Sequence, residues 1–169
     1  MPLKKTIAIV GATGKTGTQI ANQLMQSDYR LLLVSNNKEQ LDYLLKNITD
    51  KNPKAEIDSI ECVKDGCWEA DIIILAVPSQ EEKMVAEMMK EVATQKIVVS
   101  IANVESEKVD LPHLLPYSRL VKVFNIQSKE IFIGGDHEEA NQEILAIFKN
   151  AGYDPVINDH FSTIQKNNH

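Results

Sequence analysis

The sequence predicts a single-domain α/β protein of Rossmann type, a doubly wound, mostly parallel sheet with helices on both faces. Three observations carry this. Residues Thr6–Val10 form an apolar run that breaks at Gly11 and gives way to an amphipathic segment with Ile20, Ala21, Leu24 and Met25 on one face. Residues 71–77 read DIIILAV, apolar on both faces, as a strand at the centre of a parallel sheet must be. Around these two runs, short strand-like segments alternate with helix-like ones for most of the chain.

Taken in order, a first helix is expected over 15–27 and a second strand over 30–34. A second helix over 38–47 shows Leu41, Leu44, Leu45 and Ile48 at i, i+3, i+4, i+7, a core stripe. Asn52-Pro53 marks a surface turn over 50–54. A weak third strand (57–61) precedes a short helical piece (63–69), which Trp68, the only tryptophan, is expected to pack onto the sheet. Pro78 ends the central strand and Ser79 is expected to cap a helix over 80–93 that buries Val85, Met88, Met89 and Val92. A fifth strand follows at 97–101. Strict alternation then lapses into a polar connection (105–117) holding Pro112 and Pro116, with room for one helical turn. Strands at 120–124 and 130–133, the latter closed by Gly134-Gly135, lead to a capped helix over 138–150 with Ile144, Leu145, Ile147 and Phe148 inward. Gly152 stops that helix, and 154–157 adds an edge strand. The domain is read as 1–157, with a tail at 158–169 poor in apolar residues.

At 169 residues, 43% hydrophobic and 25% charged, the chain suits one packed domain. A net charge of −6 argues against nucleic acid as the main partner. No signal-peptide core follows Met1, and the longest unbroken apolar stretch, 72–77, is far too short for a bilayer, so a cytoplasmic protein without membrane contact is expected. Cys62 and Cys67 have neither zinc-site nor C-x-x-C spacing and read as ordinary thiols. His113, His137, His160 and His169 are scattered, so no metal site is expected.

The glycine turn carries the chemistry. Strand, turn and helix in that order place unpaired backbone N–H groups and the positive end of the helix dipole where an anion can sit. Gly11 allows the tight bend, Gly14 lets a pyrophosphate approach backbone, and Gly17 lets helix close on strand. The spacing is G-x-x-G-x-x-G. Gly14-Lys15-Thr16 also mimics the end of a Walker A loop, which would need glycine where the chain has Ile9. A dinucleotide turn is the better reading, with a tight turn that binds nothing as the alternative. At the end of the second strand, Ser35-Asn36-Asn37-Lys38 has no acid before Glu39. A carboxylate there would take ribose hydroxyls and repel a 2′-phosphate. A serine, amides and lysine accept one, which favours NADP over NAD. Ser35 and Asn36 can also serve as caps of the second helix.

The order of these pieces resembles the NADP oxidoreductase family that depends on the deazaflavin coenzyme F420, and is similar to the cytosolic NADPH-binding domains of six-transmembrane metalloreductases. The resemblance rests on Ile9-Val10-Gly11-Ala12-Thr13-Gly14-Lys15-Thr16-Gly17, Val34-Ser35, and Ala70 through Pro78. It continues with Val121-Lys122-Val123-Phe124-Asn125, with Ile133-Gly134-Gly135-Asp136 and with Gly152-Tyr153-Asp154-Pro155-Val156. It implies pyrophosphate contacts around Gly11 at Thr13, Gly14, Lys15 and Thr16, and 2′-phosphate contacts at Ser35 and Asn36. It places the nicotinamide against Ala76, Val77 and Pro78, with Asn125 on the hydride-accepting side. Where the family has arginine after the second-strand serine, this chain has Asn36-Asn37, with Lys38 as the substitute cation. Where the family has Ser-Asn-Pro after the fifth strand, this chain reads Ser100-Ile101-Ala102-Asn103.

What the resemblance implies is hydride transfer between NADP(H) and a flavin or deazaflavin co-substrate as small-molecule acceptor. Such transfer needs no protein nucleophile, consistent with a sequence showing no catalytic dyad. The alternative is a non-catalytic NADP(H)-binding sensor or partner subunit; the short chain leaves a homodimer open. A short-chain reductase also opens on GATGKTG, but none of Tyr29, Tyr43, Tyr117 and Tyr153 stands in a Y-x-x-x-K pair.

Overall fold

Continuous apolar runs give strands buried on both faces, and here they assemble into one eight-stranded sheet. The structure, a computed structural model, describes residues 4–102 and 110–158. In chain order the elements are β1 (Thr6–Val10), α1 (Lys15–Leu24), β2 (Arg30–Val34), α2 (Lys38–Lys51), β3 (Ile57–Ile60), α3 (Val63–Glu69) and β4 (Ile72–Leu75). They continue with α4 (Ser79–Met89), β5 (Ile97–Ala102), α5 (Leu111–Leu114), β6 (Arg119–Phe124), β7 (Glu130–Gly134), α6 (Glu138–Asn150) and β8 (Asp154–Ile157). The strand order is β3-β2-β1-β4-β5-β6-β7-β8. β1 to β6 run parallel, β7 turns back antiparallel to β6, and β8 pairs parallel with β7. The chain winds outward from β1 to β3, then restarts on the other side of β1 at β4. That reversal opens a crevice at the carboxyl ends of β1 and β4.

Alternate side chains of each central strand face opposite layers. Ile7, Ile9, Leu31, Leu33, Ile72 and Ile74 join Ile20, Leu24, Leu41, Ile48 and Phe148 under α1, α2 and α6. Ala8, Val10, Leu32, Val34, Ile73 and Leu75 meet Cys67, Val85, Ala86, Met89 and Leu111 under α3, α4 and α5. Ile7 to Ile9 and Ile73 are wholly buried, which is why the strands show no polar alternation.

Several expectations are corrected. α1 stops at Leu24, its carboxyl end tied by Asn52 Nδ2 donating to the Met25 carbonyl at 2.9 Å. α2 runs on to Lys51 because Ile48, wholly buried, needs a further helical turn to reach the core. Trp68 does not pack on the sheet: α3 turns Gly66 and Cys67 inward, and Trp68 stands 68% exposed. α4 begins at Ser79, so Pro78 occupies the cap position and no side chain caps the helix. Its buried stripe is Glu82, Val85, Ala86 and Met89, leaving Met88 exposed. His137, at the cap of α6, makes no side-chain cap bond either. The expected helical turn in the Pro-containing connection is α5; residues 105–109 of that connection, Asn103 and the tail from 159 lie outside the described residues.

Candidate dinucleotide site

The first turn after β1 is held from several directions. Gly11 has φ +86°, and both its N–H and that of Ala12 donate to the Val34 carbonyl at 2.9 and 3.1 Å, fastening the turn to the end of β2. Gly14 N–H donates back to the Gly11 carbonyl at 3.1 Å. A Cβ on Gly17 would stand 2.1 Å from the Gly11 oxygen, so only glycine lets α1 approach β1 this closely. A Cβ on Gly14 would meet only that oxygen, at 3.4 Å, and otherwise point into open space. The three sequence roles given to these glycines, bend, open approach and close packing, thus correspond to three different local geometries.

Thr18 N–H is the first amide of α1 to reach an earlier carbonyl, that of Gly14 at 2.9 Å. The N–H groups of Lys15, Thr16 and Gly17 therefore have no intrahelical acceptor and face the mouth of the crevice with the positive helix end. No acid lies in that first turn, and Lys15 is exposed beside it. This open cradle fits a pyrophosphate.

The opposite wall comes from the turn after β4. Ala76 N–H donates to the Val10 carbonyl at 2.9 Å, and a Cβ on Gly11 would stand 2.6 Å from the Ala76 oxygen and 2.8 Å from Val77 Cγ1. The two turns are thus in contact, with Ala76 buried, Val77 half-buried and Pro78 exposed at the rim.

At the end of β2, Ser35 is buried and its Oγ lies 2.7 Å from Thr13 Oγ1. The same Oγ accepts from Asn37 N–H at 3.2 Å. Asn36 and Lys38 are exposed beside it. Neither Ser35 nor Asn36 caps α2: Asn37 does, its side-chain oxygen accepting from Gln40 N–H at 3.1 Å. The N-x-x-Q spacing of Asn37 and Gln40 is a signal by which the sequence could have shown this.

Asn125 stands apart. It ends β6, two strands along the same sheet edge from β4, with φ +67°. Its Nδ2 donates to the Glu130 carbonyl at 3.0 Å and its carbonyl accepts from Ser128 N–H, which makes it the corner of the β6–β7 hairpin. The structure therefore brings together Gly11, Thr13 to Thr16, Ser35, Asn36, Lys38 and Ala76 to Pro78, and holds Asn125 at a distance. Gln19, on α1, spans part of that gap by donating to the Ile126 carbonyl at 2.9 Å and to the Tyr153 hydroxyl at 3.1 Å.

Glu82 escaped the sequence reading. It is 7% exposed on α4, and its Oε1 accepts from Ser100 Oγ at 2.9 Å. Burial holds its carboxyl proton above the usual range, opposed by the Ser100 hydrogen bond and by Lys122. Counting back three residues from Val85 along the helical stripe lands on it.

Comparison with known proteins bears on the family and the fold. Residues 6–104 match the profile of the family described as NADP oxidoreductase, coenzyme F420-dependent. The chain belongs to this family. The matched span contains the crevice and both of its turns. A curated relative, the NAD(P)+ glycerol-3-phosphate dehydrogenase of Thermoanaerobacter sp. (strain X514), is 27% identical over 139 residues. That alignment covers 79% of this chain but only 41% of the relative, so the chain spans about two fifths of the relative's length. Among solved structures, an F420-dependent NADP-reductase of Arthrobacter sp. FB24 superposes with a TM-score of 0.71 at 17% identity, covering 89% of this chain and 82% of that one. A pyrroline-5-carboxylate reductase of Coxiella burnetii superposes at 0.74 with 16% identity, covering 94% and 60%. At such identities the two structures share the fold with this family member. The chain thus belongs to a family of NAD(P)-binding oxidoreductases. Among the described residues, no helix is long and apolar enough to cross a membrane, and no group of three or more His, Cys, Asp or Glu could hold a metal ion.

Proposed function

We propose that the chain binds NADP(H) in the crevice between the β1 and β4 turns and passes a hydride between its nicotinamide and a flavin- or deazaflavin-like acceptor. The observation that carries the reading is the contact of the two turns at Gly11 and Val77, beside a helix end whose first-turn amides have no intrahelical acceptor. Lys15, Thr16 and the amides around Gly14 bind the pyrophosphate. Asn36 and Lys38 bind the 2′-phosphate, with the Thr13–Ser35 hydroxyl pair as the floor beneath it. Ala76, Val77 and Pro78 orient the nicotinamide face and exclude water from it. When bound, the cofactor supplies two electrons and a proton as hydride, and the acceptor takes any second proton from solvent.

Calorimetric titration with NADPH and NADH, followed by anaerobic mixing of the NADPH complex with flavin mononucleotide and with a deazaflavin, tests this. Binding with preference for NADPH and loss of absorbance at 340 nm on acceptor addition support it. Binding without oxidation by either acceptor favours the second reading, a dinucleotide-binding sensor or partner subunit. That second reading draws on one observation: Asn125, the residue expected on the acceptor side, is committed to a hairpin corner.

A further inference from the structure

Glu82 is an acid at a position where packing asks for an apolar residue. It shares the inward face of α4 with Val85, Ala86 and Met89 and bonds across to Ser100 on β5. Ser100 pairs in register with Leu75, and the next residues after Leu75, Ala76 and Val77, are the crevice wall. Ser100, to which the carboxyl is bonded at 2.9 Å, therefore lies about two residue rises, roughly 7 Å along the strands, below the level of Val77. On the other side Ser100 pairs with Lys122 of β6, the charged group that acts on Glu82 among the described residues. The charged and titratable groups on the elements around it are exposed to solvent: Glu81, Lys83 and Glu87 on α4 itself, Lys64, Asp65 and Glu69 on α3, His113 on α5, and Asp136 and His137, which line one cavity with Ser100 and Lys122.

We infer that Glu82 sets the preference of the crevice between oxidised and reduced dinucleotide. Ionised beneath the mouth, it favours the form whose nicotinamide ring carries a positive charge; protonated, it favours the neutral reduced ring. The inference rests on the dinucleotide reading above. Its physical basis is simple: a charge removed from water acts on a nearby charge more strongly than a surface group does. Burial raises the pKa of this carboxyl above the ordinary carboxylate range, while the Ser100 hydrogen bond, Lys122 and the first turn of α4 favour the anion. By reciprocity, binding the oxidised cofactor drives a proton off Glu82 and binding the reduced one does not.

The test is calorimetric titration of NADP+ and NADPH from about pH 5 to pH 8, in the wild-type chain and in Glu82→Gln, which keeps an acceptor for Ser100. The phosphates titrate alike in both cofactors, so the ratio of their dissociation constants isolates the ring charge. In the wild type, affinity for NADP+ relative to NADPH rises on the order of tenfold with pH; in Glu82→Gln the ratio is flat. Titration in two buffers of different ionisation enthalpy shows proton release with NADP+ alone. Ser100→Ala, which removes a donor to the anion, moves the midpoint to higher pH, a shift that a merely structural contact would not give. A ratio independent of pH in the wild type, or an equal slope in Glu82→Gln, overturns the inference while leaving the dinucleotide site intact. If Glu82→Gln does not fold, wild-type proton release equal for both cofactors overturns it. Failure of the wild type to bind either cofactor overturns the underlying reading and this inference with it.

Discussion

The hydroxyls of Thr13 and Ser35 lie 2.7 Å apart, joining the turn after β1 to the end of β2. Because Ser35 Oγ accepts from Asn37 N–H, this pair fixes the spacing between the turn after β1 and the start of α2. An aspartate at position 35 could accept from Asn37 N–H and from the Thr13 hydroxyl. It would place a negative charge beside Asn36 and Lys38, where the 2′-phosphate is proposed to sit. Ser35→Asp is expected to weaken NADPH on the order of tenfold or more while changing NADH by about twofold or less, measured by calorimetry. Equal losses for both cofactors would remove the 2′-phosphate from this end of β2.

Gly14 and Gly17 lie three residues apart and are expected to fail differently. A Cβ at Gly17 meets backbone of the preceding turn, at 2.1 Å from the Gly11 oxygen and 2.8 Å from Ala12 Cα, and neither atom can yield cheaply. Gly17→Ala should lower unfolding stability by about 1–3 kcal/mol in denaturant titration. Gly14→Ala meets nothing closer than 3.4 Å and sits at φ −74°, which any residue adopts. It should leave stability within about 0.5 kcal/mol of wild type and weaken dinucleotide binding. If Gly14→Ala binds as well as wild type, the cradle is not where the pyrophosphate rests.

These contrasts show how much of the molecule was legible from its residues. The strands were, because Ile7 to Ile9 and Ile72 to Leu75 are apolar on both faces and can only be central. The tight turn after β1 was, because φ +86° at Gly11 and the close contact at Gly17 are demands only glycine meets. What local pattern could not give was the outcome of competition between neighbours. Trp68 lost the inward place on α3 to the small residues Gly66 and Cys67, because a Cβ on Gly66 would already stand 2.7 Å from Val34 Cγ2. Three polar residues in a row, Ser35 to Asn37, could each cap α2, and only the tertiary bond to Thr13 decides which one does. Glu82 was hidden because its partner, Ser100, lies eighteen residues on, across the sheet.

Cys67 gives a pH prediction with a definite sign. Burial pushes its thiol up to about 12 in the folded chain, against about 8.5 when unfolded. Between those values the folded chain holds a proton that the unfolded chain has released, so stability is complete below about pH 8.5 and falls as pH rises toward 12. Cys67→Ala should flatten that alkaline decline in denaturant titrations at successive pH values. In the native chain at neutral pH an aromatic disulfide reagent should modify exposed Cys62 and leave Cys67 unreacted until denaturant is added. Rapid modification of both thiols in the native chain would contradict the burial.

Asn125 separates a turn role from a site role. Its φ of +67° suits asparagine and glycine, and its Nδ2 bond to Glu130 closes the hairpin. Asn125→Ala loses both advantages and should cost about 1–3 kcal/mol of stability. Asn125→Gly keeps the backbone conformation and loses only the side-chain bond, for about 1 kcal/mol. If the residue serves only the turn, Asn125→Gly retains wild-type hydride transfer and cofactor affinity at temperatures where it is folded. If it also reaches the acceptor, the turnover rate drops in Asn125→Gly with cofactor affinity unchanged. Gln19→Ala supplies the control: it releases the Ile126 carbonyl and the Tyr153 hydroxyl from α1 and so loosens the same hairpin without altering Asn125. A loss of turnover in Gln19→Ala equal to that in Asn125→Gly assigns the effect to hairpin placement, and a loss confined to Asn125→Gly assigns it to the amide.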